Sequence, residues 1–486
     1  MGAVRFSLNG VLRVADQVAP TTTVLDWLRG SARLTGAKEG CAEGDCGACT
    51  ILVSGPHDGG RWRAVNSCLM VVPQLDRCAV LTVEGVARNG VLHPVQQALL
   101  DAHATQCGFC TPGFVMSMVA LQQDGAAIDD AAIHDALAGN LCRCTGYRAL
   151  VDACRTLVAV DAAEAAVQPA PPSSASDGQP ADDFAPALAP LCETATQRFF
   201  APRTVEELLA LRAAHPDSVL LAGGTDLGLR VSKGRERWPL VISTAAVAEL
   251  RGVSVRDGAI EIGAAATYTE ILPSLDRHIP AFAALVRRIG SRQIRNLGTL
   301  AGNLATASPI GDSLPCLVAL GAAVRLRSQS GARMLAVADF ITGYRTTTLA
   351  ADEIIERIAI PIPAAPTHVA AYKLAKRFDQ DISTVVAAFK LDCDHGRVRD
   401  IAIVFGGMGP TVRHARATEQ ALLGRDWNAD DLAGLDALLA QDFRPMSDHR
   451  GSAAYRLRAA AGLVCRFQRE TREAGQTEAP LRLEAL

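Results

Sequence analysis

Eight cysteines in the first 150 residues constrain this chain more than any other feature. They fall into two sets of four: Cys41, Cys46, Cys49 and Cys68, then Cys107, Cys110, Cys142 and Cys144. The first set opens as C-x4-C-x2-C with a distant fourth cysteine. That is the spacing of a plant-type [2Fe–2S] site, which needs four soft thiolates. Structural zinc usually takes C-x2-C with a second close pair. Zinc therefore matches the first set poorly, but it matches the C-x2-C…C-x-C of the second set when that set is taken alone. Disulfides suit neither. The chain opens on an alternating strand pattern, Val4-Arg-Phe-Ser-Leu8, rather than on a secretory leader. This points to a reducing, cytoplasmic setting in which thiols stay free for metal. Two clusters on one chain imply one-electron traffic between a source and a sink.

The 486 residues leave room for about three or four domains. With 48 basic against 51 acidic residues, no basic footprint for nucleic acid or membrane surfaces stands out. The longest apolar run, near Leu314–Val324, is far short of the ~20 residues that span a bilayer. The histidines show no metal-ligand spacing. Cys78, Cys154, Cys192, Cys316, Cys393 and Cys465 are scattered and read as inert buried thiols, with Cys192 exposed beside a linker.

Asn9-Gly10 between two alternating runs predicts a hairpin. A short helix from Val24 follows, with Thr23 as N-cap and Gly30 as stop, then the glycine-rich cysteine loop 39–49. Strands are expected at Thr50–Val53 and Arg63–Val72, with Cys68 on or beside the second. From Leu92 the period becomes helical. His93-Pro94 opens one helix, Thr111 caps another ahead of Pro112, and Asp129 or Asp130 begins a third that stops at Gly139. The segment Cys142–Tyr147 leads into a fourth. Both cysteine pairs of the second set thus lie at helix ends, where N-terminal dipoles favour an anionic cluster. Residues 161–190 are rich in Ala, Pro, Ser and Asp and read as a mobile linker. Beyond it, Val205–Ala214 reads as a helix, Val219–Ala222 as a buried strand and Gly223–Asp226 as a turn into a second helix. Such a glycine-rich helix start is suited to a pyrophosphate, though a plain tight turn is as good a match. Asn296–Asn303 and Ala307–Asp312 are read as turns or as a second phosphate-facing stretch. Alternation at Val385–Leu391 and Ile401–Phe405 marks a further α+β module.

Three motifs together carry a family resemblance: Glu39–Cys49, Gln106–Gly113 and Asn140–Gly146. They resemble the iron–sulfur part of the molybdenum hydroxylases, while Leu220–Leu227 and Asn303–Asp312 resemble the FAD domain of that family. The order of domains is similar to that of the iron–sulfur/FAD chains of the xanthine dehydrogenase type. The resemblance implies a multidomain α+β fold. Its parts are a ferredoxin-like β-grasp [2Fe–2S] domain (1–82), an all-α four-helix [2Fe–2S] domain (83–160), a linker (161–196), a two-part α+β FAD-binding domain (197–365) and an α+β C-terminal domain (366–486).

The resemblance also implies site residues. Cys41, Cys46, Cys49 and Cys68 would hold the cluster nearer the flavin. Cys107, Cys110, Cys142 and Cys144 would hold the cluster nearer molybdenum. FAD contacts would come from Leu220, Leu221, Ala222, Gly223, Gly224, Thr225, Asp226 and Leu227, then from Thr299, Asn303, Asp312, Ile355 and Lys373. Ile289 occupies the place where animal relatives stack an aromatic ring on the flavin, and Lys376–Asp381 resembles a loop near the flavin ring. The implied activity is electron transfer for the hydroxylation of hypoxanthine and xanthine to urate. Electrons would pass from a molybdopterin-binding large subunit (an α2β2 assembly) through two [2Fe–2S] clusters and FAD to NAD+. No side chain of this chain is expected to act as a catalytic acid or base. The same role for another N-heterocycle or an aldehyde, or with oxygen as acceptor, is the alternative.

Overall fold

The computed structural model describes residues 2–158, 188–429, 432 and 434–472. Up to residue 187 the expected linker lies outside the described residues, as do the last residues of the expected C-terminal domain. The chain divides into two compact units. One comprises Met1–Arg251, Thr267–Thr269 and Gly290–Thr299; the other comprises Gly252–Ala266, Glu270–Ile289 and Leu300–Leu486.

The first unit contains three substructures. In the first, β1 (Val4–Leu8) and β2 (Val11–Ala15) form the expected hairpin. Asn9 and Gly10 both take positive φ, 52° and 84°, as a two-residue primed turn requires. Helix α1 (Val24–Gly30) starts at Thr23, whose hydroxyl accepts from Asp26 N. With β3 (Thr50–Ser54), β4 (Arg63–Asn66) and β5 (Ala79–Leu81) the sheet order is β2-β1-β5-β3-β4, and β1–β5 is a parallel pair. Leu25 and Leu28 of α1 join Val4, Phe6 and Leu8 in one core, and Phe6 meets Trp27 edge-on at 5.2 Å. The strand expected over 63–72 ends at Asn66. Residues 67–71 turn, and Pro73, which cannot donate to a ladder, sits in a 3-10 turn at Val72–Leu75. Cys68 is therefore a loop residue.

The second substructure is the four-helix part: α2 (Pro94–Asp101), α3 (Thr111–Gln123), α4 (Asp130–Leu137) and α5 (Arg148–Arg155). Helix α3 is buried from Gly113 to Gln122, and its apolar side chains share a core with Leu52 and Leu81 of the sheet. Burial on all sides explains its near-continuous apolar sequence. Thr111 does not cap it. Cys110 holds the cap position, and Thr111 Oγ1 lies 2.8 Å from Thr105 Oγ1 instead.

The third substructure is a four-stranded sheet of order Cys192–Glu193, Arg198–Phe200, Leu240–Ser243 and Val219–Leu221, with the last three strands parallel. Its helices are Val205–Ala214, opened by a Thr204/Glu207 capping box, and Leu227–Ser232. Regular structure resumes at Cys192, ahead of the linker boundary expected at 196. Cys192 is buried in the same core as Phe199 rather than exposed. The strand Val219–Leu221 is only half-buried, since two of its three residues retain exposure.

The second unit has a five-stranded antiparallel sheet of order Val253–Arg256, Ala259–Gly263, Ile354–Pro361, Ala323–Ser328 and Gly331–Ala336. It also has an antiparallel meander of His368–Leu374, Val385–Asp394, Arg397–Gly406 and Arg413–His414. The meander and the long helix Ala453–Thr471 enclose Phe389, Phe405, Phe443 and Phe467. Part of the glycine-rich stretch expected to turn is helical, at Leu300–Thr306. Leu300, Ala301 and Leu304 are buried, a helical spacing that outweighs Gly302.

Candidate cofactor sites

All fourteen cysteines are free thiols. In the first set the sulfurs meet in pairs. Cys49 Sγ and Cys68 Sγ are 3.3 Å apart and buried, and Cys41 is hydrogen-bonded to Cys46. The second set repeats this, with Cys107 Sγ and Cys144 Sγ 3.6 Å apart and Cys110 bonded to Cys142. Among the described residues, no three or more His, Cys, Asp or Glu side chains group as a single-ion site. Two pairs per set suit a two-iron cluster, in which each iron takes two terminal thiolates, better than one tetrahedral zinc.

The protonation pattern follows the pairing. The bond to Cys46 holds the Cys41 thiol down at about 5 against opposing burial. The same bond, with burial, pushes Cys46 up. Likewise the contact with Cys68 lowers Cys49 and raises Cys68. Cys142 lies at about 7. Burial, its largest single influence, pushes it upward, but the Thr145 hydroxyl at 3.1 Å and the backbone N–H groups of Thr145 and Cys144, both at 3.4 Å, outweigh burial. Burial pushes Cys110 up to about 12. Each set thus gathers four soft sulfur donors on short loops, which fits a cluster. The second set is more open: Cys107 and Cys144 are exposed and Cys142 is buried. Cys78 and Cys154 are pushed up to about 12 by burial and are inert, as expected, and the same burial makes Cys192 inert although it was expected to be exposed. Cys316 is likewise buried, whereas Cys393 and Cys465 are only half-buried.

The two cysteine loops touch. Leu141 N, one residue before Cys142, donates to Cys46 O at 3.0 Å, and Asn140 Nδ2 donates to Gly47 O at 3.2 Å. The spacing of the cysteines gave no sign of this contact, because it joins residues of two substructures.

The expected FAD residues divide between the two units. In the first unit, the loop Leu220–Leu227 lies against Leu297–Thr299. A Cβ on Gly223 would sit 1.6 Å from Leu297 O, and Gly224 takes φ +78°. The two loops approach backbone to backbone, which only a residue without Cβ at 223 allows. The same loop adjoins the first cysteine set. Gln74 Nε2 donates to Ala222 O at 3.4 Å, and Ser232 Oγ, at the end of the helix that follows the loop, donates to Ala42 O at 2.7 Å. In the second unit, Asp312 is gripped by Lys373 Nζ (2.7 Å) and Ser383 Oγ (2.5 Å), and Asn303 Oδ1 accepts from Ser313 Oγ (2.6 Å). Ile355 is buried, paired with Leu326. Ile289 is half-buried beside Arg288, whose guanidinium covers the exposed Phe378 ring at 4.4 Å and donates to Lys373 O and Phe378 O. This Arg288–Phe378 lock on the loop 376–381 was invisible in sequence.

Four domain families match the chain. They are the 2Fe–2S iron–sulfur cluster binding domain (6–73), the [2Fe–2S] binding domain (82–155), the FAD binding domain in molybdopterin dehydrogenase (194–363) and the CO dehydrogenase flavoprotein C-terminal domain (370–471). Over 96% of its length the chain is 34% identical to xanthine dehydrogenase of Emericella nidulans, and over 90% it is 32% identical to xanthine dehydrogenase/oxidase of Gallus gallus. It spans only 38% and 37% of those proteins. Carbon monoxide dehydrogenase from Hydrogenophaga pseudoflava resembles 56% of the chain, over 95% of its own matched chain, with TM-score 0.52 and 28% identity. Quinoline 2-oxidoreductase from Pseudomonas putida 86 does so over 57% and 96%, with TM-score 0.52 and 27% identity.

Proposed function

Because the chain belongs to the molybdenum hydroxylase family, as an iron–sulfur/FAD chain, we propose that it carries electrons from a molybdopterin centre on a partner subunit to NAD+ during hypoxanthine and xanthine hydroxylation. When bound, the clusters pass single electrons and the flavin collects two for delivery together. The chain's own residues hold, space and insulate these groups. Cys41, Cys46, Cys49 and Cys68 ligate one cluster, and Cys107, Cys110, Cys142 and Cys144 the other. The loop Leu220–Leu227 with Thr299, and Asn303, Asp312, Ile355 and Lys373, hold FAD. Thr145 Oγ1 and the neighbouring amides donate to Cys142 Sγ and so stabilise negative charge on the second site. The exposure of Cys107 and Cys144 suits a donor arriving from outside, and the contacts of Gln74 with Ala222 and of Ser232 with Ala42 support a first set on the flavin side.

The single observation that carries this function is the pairwise meeting of two four-cysteine sets whose loops are joined by the Leu141–Cys46 hydrogen bond. The protein purified with its molybdenum-containing partner should be brown, hold about four irons and one FAD per chain, and reduce NAD+ when given xanthine. Colourless protein containing zinc would refute the electron-transfer role. Oxygen uptake without NAD+ reduction would refute the acceptor. A second substrate class, another N-heterocycle or an aldehyde, has one observation on its side: solved relatives named for substrates other than xanthine, carbon monoxide and quinoline, match this chain. Turnover of such a substrate in place of xanthine would decide for it.

A further inference from the structure

We infer that Gln293 is a positioning residue that sets the spacing of the two cysteine sites. The inference rests on the two-cluster function proposed above. Gln293 belongs to the segment Ser291–Asn296, which lies in sequence within the matched FAD-binding family (194–363), yet it is fully buried between the two cysteine-bearing substructures. Its Nε2 donates to Thr50 Oγ1 (3.3 Å), Ser117 Oγ (3.1 Å) and Asn140 Oδ1 (3.1 Å). The Thr50 hydroxyl spends its hydrogen on Gly47 O (2.6 Å), and the Ser117 hydroxyl spends its hydrogen on Asn140 Oδ1 (2.7 Å). All three partners of Gln293 are therefore acceptors toward it, and its two amide hydrogens are shared among them. Asn140 in turn donates to Gly47 O. These bonds flank the Leu141–Cys46 contact, with Gly47 next to Cys46 and Asn140 next to Leu141.

The junction has no slack. A Cβ on Gly47 would lie 2.3 Å from Gly139 O, one on Gly113 2.2 Å from Gly47 O, and one on Gly139 2.2 Å from Gln293 Oε1. The rest of the segment is tethered to both sides. Arg292 pairs with Asp124 and Arg295 with Asp135 of the helical part, while Asn296 Nδ2 donates to Ala64 O and Arg63 Nη1 donates to Asn296 O on the sheet side. Gln293 Oε1, packed against Gly139, has no partner. The side chain is thus placed to donate, at the cost of a buried orphan acceptor.

The test uses the full chain, with its partner where needed for expression, and compares wild type with Gln293→Met and Ser117→Ala. Methionine keeps the length and removes the donor. Ser117→Ala cuts one arm only and serves if the first variant folds poorly. Two readouts apply besides activity: amide exchange at Leu141, and the splitting of the reduced-cluster paramagnetic resonance lines caused by the neighbouring cluster. We expect Gln293→Met to speed Leu141 exchange at least about tenfold, the worth of roughly one net hydrogen bond. The inter-cluster splitting should change or vanish while iron content and each cluster's own signal persist. Ser117→Ala should shift both readouts in the same direction by less. Unchanged exchange and splitting in Gln293→Met, with splitting present in wild type, would overturn the positioning role. Wild-type protein without two cluster signals would overturn the proposed function, and the inference with it.

Discussion

Gly223 offers the sharpest test of the flavin cradle. An alanine Cβ there would lie 1.6 Å from Leu297 O and 3.0 Å from Gly298 N, both rigid backbone, whereas ordinary contacts begin at 3.4 Å. Relief requires the two loops to part, which is overpacking at a close backbone approach and costs about 1–3 kcal/mol. If that strain is released when FAD leaves, FAD binds about 5- to 150-fold more weakly, at ~1.4 kcal/mol per factor of ten. Gly224 and Gly298 are internal standards. At Gly224 the Cβ has room, with its nearest atom at 3.4 Å, but φ is +78°, so alanine costs about 1 kcal/mol of backbone strain. At Gly298 φ is ordinary and the nearest atoms, backbone Ile294 O first, lie 3.2–3.4 Å away, so alanine asks its neighbours to give by only a few tenths of an ångström. Flavin retention, measured by fluorescence titration of apoprotein with FAD, should therefore fall in the order Gly298→Ala, Gly224→Ala, Gly223→Ala, with cluster absorbance unchanged in all three. Wild-type FAD affinity in Gly223→Ala, or an inverted order, would show that this backbone approach does not shape the flavin site.

Three further outcomes are expected. Cys110→Ser should lower iron from about four to about two per chain while FAD stays bound; iron analysis with flavin absorbance checks it, and loss of both would mean that the domains do not load independently. Thr145→Val removes the hydroxyl that donates to Cys142 Sγ at 3.1 Å. Because that bond favours the more negative, reduced state, a redox titration should find the second cluster's potential shifted downward, and an unchanged potential refutes the assignment. Lys373→Met leaves Asp312 buried with Ser383 alone, and breaking such a pair costs about 3–5 kcal/mol. Urea unfolding should show this in the transition of the second unit, and a double variant that also carries Asp312→Asn should recover most of the loss.

Much of the local structure was legible before any coordinates. Asn9-Gly10, the Thr23 cap and the alternation at Val385–Leu391 each act over a few residues, so backbone propensity and hydrophobic period suffice to place them. Errors arose where burial or neighbours overrode the local signal. Thr111 turns to Thr105 instead of capping, the strand expected to run to Val72 turns away after Asn66, and Leu300, Ala301 and Leu304 make a helix of a glycine-rich stretch.

By itself, the sequence determined the donor chemistry: eight soft ligands in two sets, with spacing that selects iron–sulfur chemistry over zinc for the first set. It left the second set open, and it said nothing of how the two sets relate. Tertiary structure decided how they relate. It brings the sulfurs together in twos, joins Leu141 to Cys46, and buries Gln293 at the junction, more than 150 residues along the chain from Asn140. The physical reason is that ligand identity is written in side chains one residue at a time. Spacing between sites depends on hydrogen bonds and backbone approaches between distant segments, and only the folded chain makes those.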